Sequence, residues 1–201
     1  MKIRKAKKED VYACVPLIYS AAMPLFDYIY QQCPITAENF IHKEFLSERG
    51  YTSYKLHWVV EHEGQVVAVV ACYAKEDLPN MDGGTIRNIL SVYKLKFSRV
   101  LIRAFYSGSV VTKPSITSLH VANFGVSPNY RSQGIGRLLL NYLKTLAEQQ
   151  GYSSLSLDVS YANPRGQKLY EKIGFVVVQD SKFKGIEGEL IPNGHRMEWK
   201  F

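Results

Sequence analysis

The sequence predicts a mixed α/β (α+β) fold, a sheet flanked by helices, and three stretches carry that expectation. Residues 119–126, Leu-His-Val-Ala-Asn-Phe-Gly-Val, are rich in β-branched and aromatic types and stop at Ser127-Pro128, which reads as a strand. Beyond a glycine-containing loop, Ile135, Leu138, Leu139, Tyr142, Leu143, Leu146 and Ala147 recur at helical spacing up to Gly151, so this helix lays an apolar stripe on a sheet. Residues 57–62 and 65–73 flank Glu63-Gly64 and read as a hairpin, its second strand apolar on both faces as a central strand would be.

The other elements follow in order. Residues 2–6 suit a short strand, and Lys8-Glu9-Asp10 opens a helix through Val11, Val15, Leu17, Ile18, Ala21 and Ala22, with Pro16 near its first turns and Pro24 where it should stop. Residues 25–32 are aromatic-rich. A second helix over 37–49 follows Thr36, an N-cap with Asn39 at the third position. Residues 77–117 form an insert in which Ile86, Ile89, Leu90, Tyr93, Phe97, Val100 and Leu101 repeat at helical spacing among Arg87, Lys94 and Arg103, which reads as one basic amphipathic helix. A lid, a dimer contact, a membrane-surface element and an ordinary packed helix all remain open for it. Residues 154–159 make a strand. Asn163-Pro164 starts a short helix by capping and first-position proline, and Gly174 ends it. Strands over 175–179 and 195–201 close the chain around a polar connection at 181–194.

At 201 residues and 46% hydrophobic content, one well-buried core and one domain over 1–201 are expected. No apolar run follows Met1 that resembles a signal peptide, and the longest, 66–74, is too short to span a bilayer, so the expectation is a soluble, cytoplasmic protein without a membrane span. Cys14, Cys33 and Cys72 are odd in number and far apart, reading as small core hydrophobes with neither disulfides nor a metal site. The net charge of +7 is unevenly placed: no acidic residue falls between Asp82 and Glu148, where Arg87, Lys94, Lys96, Arg99, Arg103, Lys113, Arg131, Arg137 and Lys144 all lie. A positive field there favours an anionic ligand. Nucleic acid is not expected, because no helix-turn-helix, zinc-finger spacing or RNA-binding aromatic motif accompanies it.

The loop between strand and helix, Arg131-Ser132-Gln133-Gly134-Ile135-Gly136-Arg137, gathers two glycines and the first free N–H groups of a helix, a combination that suits a phosphate or pyrophosphate. A Cβ at Gly134 or Gly136 would hold the backbone away from the anion. A dinucleotide-binding turn is the competing reading, with Asp158 as its acidic residue. Against it, residues 127–133 separate strand from glycine, Leu139 occupies the third glycine position, and only 43 residues follow Asp158.

Arg131-x-x-Gly134-x-Gly136 after Val126-x-Pro128 resembles the acetyl-CoA signature of the GNAT N-acetyltransferase superfamily. The resemblance continues through Leu155-Ser156-Leu157-Asp158-Val159, Asn163 and Leu169-Tyr170-Glu171-Lys172-Ile173-Gly174-Phe175, covering about 60 of 201 residues with a motif core at 118–180. It implies a mixed, mostly antiparallel, twisted sheet of six to seven strands that splays at the motif strand. It also implies acetyl-CoA as cosubstrate, without a metal, and acetyl transfer to a primary amine by direct attack in a ternary complex. The cofactor would be bound by Phe124, Val126, Arg131, Ser132, Gln133, Gly134, Ile135, Gly136, Arg137 and Asn163, with the Val126 N–H directed at the acetyl carbonyl.

The same resemblance assigns Tyr170 as the acid that protonates the leaving thiolate. Several family members carry a glutamate base six residues before the position of Val126, where this sequence has His120; others use an ordered water chain. No carboxylate between Asp82 and Glu148 competes with His120. Acceptor contacts are expected from Phe26, Asp27, Tyr28 or Tyr30, although these aromatics equally suit a core. Two further readings stay open: a CoA-binding regulatory module without catalysis, and, lowest, a nucleic-acid-associated protein. Homodimers are common in the family; no interface is readable in the sequence.

Overall fold

In a computed structural model, which describes residues 1–185 and 191–201, seven strands form one sheet. They are β1 (Lys2–Lys5), β2 (His57–His62), β3 (Gln65–Tyr73), β4 (Ser118–Val126), β5 (Ser154–Ser160), β6 (Val176–Ser181) and β7 (Gly194–Lys200), in the spatial order β1-β2-β3-β4-β5-β7-β6. All these pairings are antiparallel except β4 with β5.

That parallel ladder is short. It runs from Ser118 opposite Ser154 to Val121 opposite Leu157, whereas β4 continues to Val126 and β5 to Ser160. Past Val121, β4 keeps only its β3 partner and β5 only its β7 partner, so the sheet forks. A bulge lies at the divergence: the β3–β4 register shifts between Val69 and Ala71, and Asn123 takes φ +51. Asparagine tolerates this left-handed conformation, and here its amide donates to the Tyr51 carbonyl at 3.1 Å and meets His57 Nε2 at 3.3 Å.

Two helical layers cover the sheet. On one face, α6 (Ile135–Gln149) and α7 (Pro164–Ile173) pack with Val60, Val70, Leu119, Val121, Leu155 and Leu157. On the other lie α1 (Val11–Ala21), α2 (Met23–Tyr30), α3 (Ala37–Phe45), α4 (Leu78–Tyr93) and α5 (Phe97–Ser107), sharing a core with Val59 and Val69. Alternate β3 residues thus feed different cores, which is why the strand reads as apolar throughout. Helix α1 crosses β4 so closely that a Cβ on Gly125 would stand 2.4 Å from the Leu17 carbonyl oxygen.

Several elements depart from the sequence expectation. The first helix breaks at Ala22 (φ −150, ψ 44), and Pro24 enters the first turn of α2 instead of only ending α1. Helix α3 starts at its Thr36–Asn39 capping box but stops at Phe45, four residues short of Arg49. The insert holds two helices, because a one-turn interruption at Lys94–Lys96, with Lys94 at φ +48, leaves the apolar spacing intact while breaking the helix. Cys14 and Cys72 are buried, but Cys33 is exposed and is no core residue. Part of the 181–194 connection lies outside the described residues; Phe183 N–H bonds Asn193 Oδ1 and Lys184 N–H bonds Ser109 Oγ.

Candidate active site

The loop before α6 presents a row of free donors. Tyr130 and Arg131 N–H bond Ser127 and Pro128 carbonyls, and Leu138 N–H begins the helical pattern on Gly134. Between them, the N–H groups of Ser132, Gln133, Gly134, Ile135, Gly136 and Arg137 have no acceptor among the described residues. Positive φ at Ser132 (62°) and Gly134 (81°) curls this run into a concave nest, and the α6 dipole adds to its pull on an anion. Gly134 is open to solvent around its missing Cβ. Gly136 has a second requirement: a Cβ there would meet Leu169 Cδ2 of α7 at 2.9 Å.

The fork leads from this nest into the sheet. Ser127 N–H donates to Val67 O at 2.9 Å, which makes that pair hydrogen-bonded; by antiparallel alternation the N–H and C=O of the next pair member, Val126, point away from β3 into the gap. Arg131 Nε takes the Val126 carbonyl at 3.0 Å, leaving the Val126 N–H directed into the opening. Phe124 also lines this strand, its ring 6.5 Å from that of Tyr170.

Tyr170 on α7 stands between Phe124 and Phe175, whose ring is 5.8 Å away. Its hydroxyl has no hydrogen-bond partner among the described residues, and burial pushes its pKa to about 12. It is therefore a phenol kept protonated, with its one proton uncommitted. Asn163 caps α7 through Oδ1 to Gly166 N–H at 2.9 Å, and Arg165 Nη2 donates to Ser132 Oγ at 2.7 Å, tying the two walls of the fork together.

His120 is buried, 1% exposed, with Nδ1 at 3.1 Å from Ser156 Oγ and Nε2 at 3.8 Å from Asp158 Oδ2. Burial, then the Arg196 guanidinium, pushes its pKa well below the usual value. Asp158 is the first β5 residue past the last parallel pair, at the mouth of the fork. Its carboxylate accepts from Arg196 Nε at 2.7 Å, Arg196 Nη2 at 2.9 Å and Thr112 N–H at 3.2 Å. Burial outweighs these donors and raises its pKa from the ordinary aspartate value. The structure thus pairs His120 with a carboxylate that lies outside the 82–148 window.

The expected acceptor residues divide. Phe26 and Tyr30 are core, Tyr30 stacking on Phe40 at 4.1 Å, while Asp27 accepts from Tyr19 Oη at 3.0 Å. Tyr28 is buried between Phe183, edge-on at 5.1 Å, and the Arg103 guanidinium at 5.3 Å, so it joins α2 to the insert. Among the described residues no group of three or more His, Cys, Asp or Glu side chains converges. No single described helix is long and apolar enough to cross a membrane.

A forked sheet with free helix-terminal amides at its opening has a counterpart among known proteins. The model of the Acetyltransferase (GNAT) family matches residues 16–175. This chain belongs to the GNAT family. A crystal structure of an acetyltransferase superposes with a TM-score of 0.72 at 20% identity, covering 100% of this GNAT chain and 99% of the other. An N-acetyltransferase from Staphylococcus aureus Mu50 gives 0.72 at 19% identity, covering 98% and 100%. At this identity the likeness concerns the fold. In sequence, the chain is 35% identical over 65 residues to the [Ribosomal protein bS18]-alanine N-acetyltransferase of Escherichia coli (strain K12), covering 32% of this chain but only 44% of that protein.

Sequence reasoning missed Asp158, Arg196, Thr112 and Arg165 in this GNAT site. In the sequence Asp158 carries a role only as the acidic residue of the dinucleotide alternative; its pairing with His120 needs the β4–β5 register. Arg196 and Thr112 carry no local signal, because they reach the site through the β5–β7 ladder and the end of the insert.

Proposed function

We propose that the chain is an acetyl-CoA-dependent N-acyltransferase that moves an acetyl group to a primary amine by direct attack in a ternary complex, with residues 1–201 acting as one cytoplasmic domain. The observation that carries this reading is the row of six N–H groups without an acceptor among the described residues, opening into a fork whose inner edge offers the Val126 N–H. Such a site suits a pyrophosphate followed by a narrow arm. In it Ser132, Gln133, Gly134, Ile135, Gly136 and Arg137 hold the pyrophosphate, Arg131 orders the loop, and Phe124 and Asn163 flank the arm. Acetyl-CoA supplies an activated thioester.

The chain's residues then have three tasks. Val126 N–H donates toward the acetyl carbonyl, stabilising charge that develops there. The Asp158–His120 pair at the fork's mouth takes the proton of the incoming ammonium, directly or through water. Of the two, Asp158 stands at the opening itself, and burial raises its proton affinity while lowering that of His120. Tyr170 donates toward the leaving sulfur.

The test is an acceptor panel of polyamines, amino acids and peptides, including peptides that begin with alanine as in the relative's name, read by free thiol released from acetyl-CoA. Release with at least one amine, abolished by Asp158→Asn, is expected. Binding of acetyl-CoA without thiol release across the panel would instead support a regulatory module.

A further inference from the structure

We propose that Arg196 is a positioning residue: by gripping both oxygens of Asp158 and the Thr112 carbonyl together, it fixes the carboxylate at the mouth of the fork and keeps the Asp158–His120 pair unprotonated. The proposal rests on the reading of Asp158 and His120 as the proton-accepting pair. Arg196 stands directly opposite Asp158 in the β5–β7 ladder, is 5% exposed, and contacts the carboxylate in a two-point fork. Two parallel N–H···O bonds fix a carboxylate's plane as well as its position, which one ammonium contact would not. The third contact, Arg196 Nη2 to Thr112 O, is matched by Thr112 N–H on Asp158 Oδ2, so the end of the insert closes a ring around the ion pair. Through that ring the insert becomes part of the carboxylate's support, a role that its amphipathic pattern alone did not suggest.

The groups facing the pair come from several elements. His120 and Ser156 lie on β4 and β5, the Tyr73 ring of β3 lies tilted against His120 at 5.1 Å, Asp82 of α4 acts on Tyr73 from beyond, and Arg196 comes from β7. A fixed guanidinium in this setting opposes protonation of both His120 and Asp158. A purely structural ion pair would also shift the titration through its charge, but it would leave the acidic limb of kcat/KM unmoved.

The experiment is an NMR titration of the His120 imidazole in the full-length protein, assigned with His120→Gln, in wild type, Arg196→Gln and Arg196→Lys. In wild type the ring should stay neutral from pH 8 to well below its ordinary midpoint. In Arg196→Gln the coupled pair should take up its proton at least about one pH unit higher, a tenfold gain in proton affinity, with Arg196→Lys moving less. Once an acceptor is found, the acidic limb of kcat/KM should move up with the pair while KM for acetyl-CoA holds. A folded Arg196→Gln protein with an unmoved His120 titration would overturn the proposal. If that variant does not fold, Arg196→Lys decides: an upward shift supports the proposal, and a wild-type titration with unchanged turnover overturns it. The titration needs no turnover, so a failure of the acyltransfer reading would show separately as absent thiol release.

Discussion

Removing the Tyr170 hydroxyl should impair chemistry while sparing both fold and cofactor binding. The hydroxyl bonds to nothing among the described residues, so Tyr170→Phe forfeits no internal hydrogen bond, and its stability change should stay within about 0.5 kcal/mol. Its role in turnover follows from the phenol's raised pKa. A proton bound at about 12 passes to a thiolate of ordinary pKa near 8.5 only against a gradient of roughly three to four orders of magnitude. In the proposed reaction Tyr170 would therefore act mainly by hydrogen-bonding the charge that grows on sulfur, as an oxyanion-hole donor does, and its loss should lower kcat by about 10²–10³. Thiol-release kinetics give kcat, calorimetry gives the acetyl-CoA dissociation constant, and a thermal melt reports the fold. A variant with wild-type kcat refutes the donor role. One with a collapsed melting temperature shows instead that the hydroxyl supports structure.

Three other perturbations test the frame around the site. Gly125→Ala places a Cβ 2.4 Å from the Leu17 carbonyl, so α1 or β4 must move; a loss of about 1–3 kcal/mol in denaturant melts is expected, and an unchanged midpoint would contradict the close approach. His57 is buried with Nδ1–H on Ser53 O at 2.7 Å and Nε2 facing the Asn123 amide, an arrangement that only the neutral ring satisfies, and its pKa falls to about 4. Because the unfolded ring binds protons near pH 6.5, stability from this residue is present above that pH and drains away as pH falls toward 4, by at most about 3 kcal/mol. His57→Gln should flatten that slope in urea melts between pH 7 and 4; an unaltered slope would remove His57 from the account. Arg165→Ala cuts the tie to Ser132 Oγ and should weaken acetyl-CoA binding severalfold without changing the melt, whereas unchanged affinity would confine Arg165 to the surface.

The sheet and the loop of free amides before α6 are legible because their signals are local. Hydrophobic period, the Glu63-Gly64 turn, the Thr36 cap and the glycine loop each act within a few residues, and each element formed near where they placed it. What stayed hidden depends on long-range pairing. His120 has no rival within its own window, yet parallel pairing with β5 brings Asp158 to 3.8 Å, and burial moves the proton affinities of the two in opposite directions. The insert's apolar spacing runs through a helix break because the break rests on the backbone of Lys94, at φ +48, which an apolar period does not register. The α2 aromatics look equally fit for wall or core; Phe26 and Tyr30 go to the core because α3 and α5 pack against α2, with Tyr30 stacked on Phe40 of α3.

Calorimetric titration of the folded full-length protein with acetyl-CoA tests the central claim most directly. Saturable one-site binding that weakens as salt screens the nest is the predicted result. Absence of binding heat across several temperatures, with the fold intact by thermal melt, would contradict it.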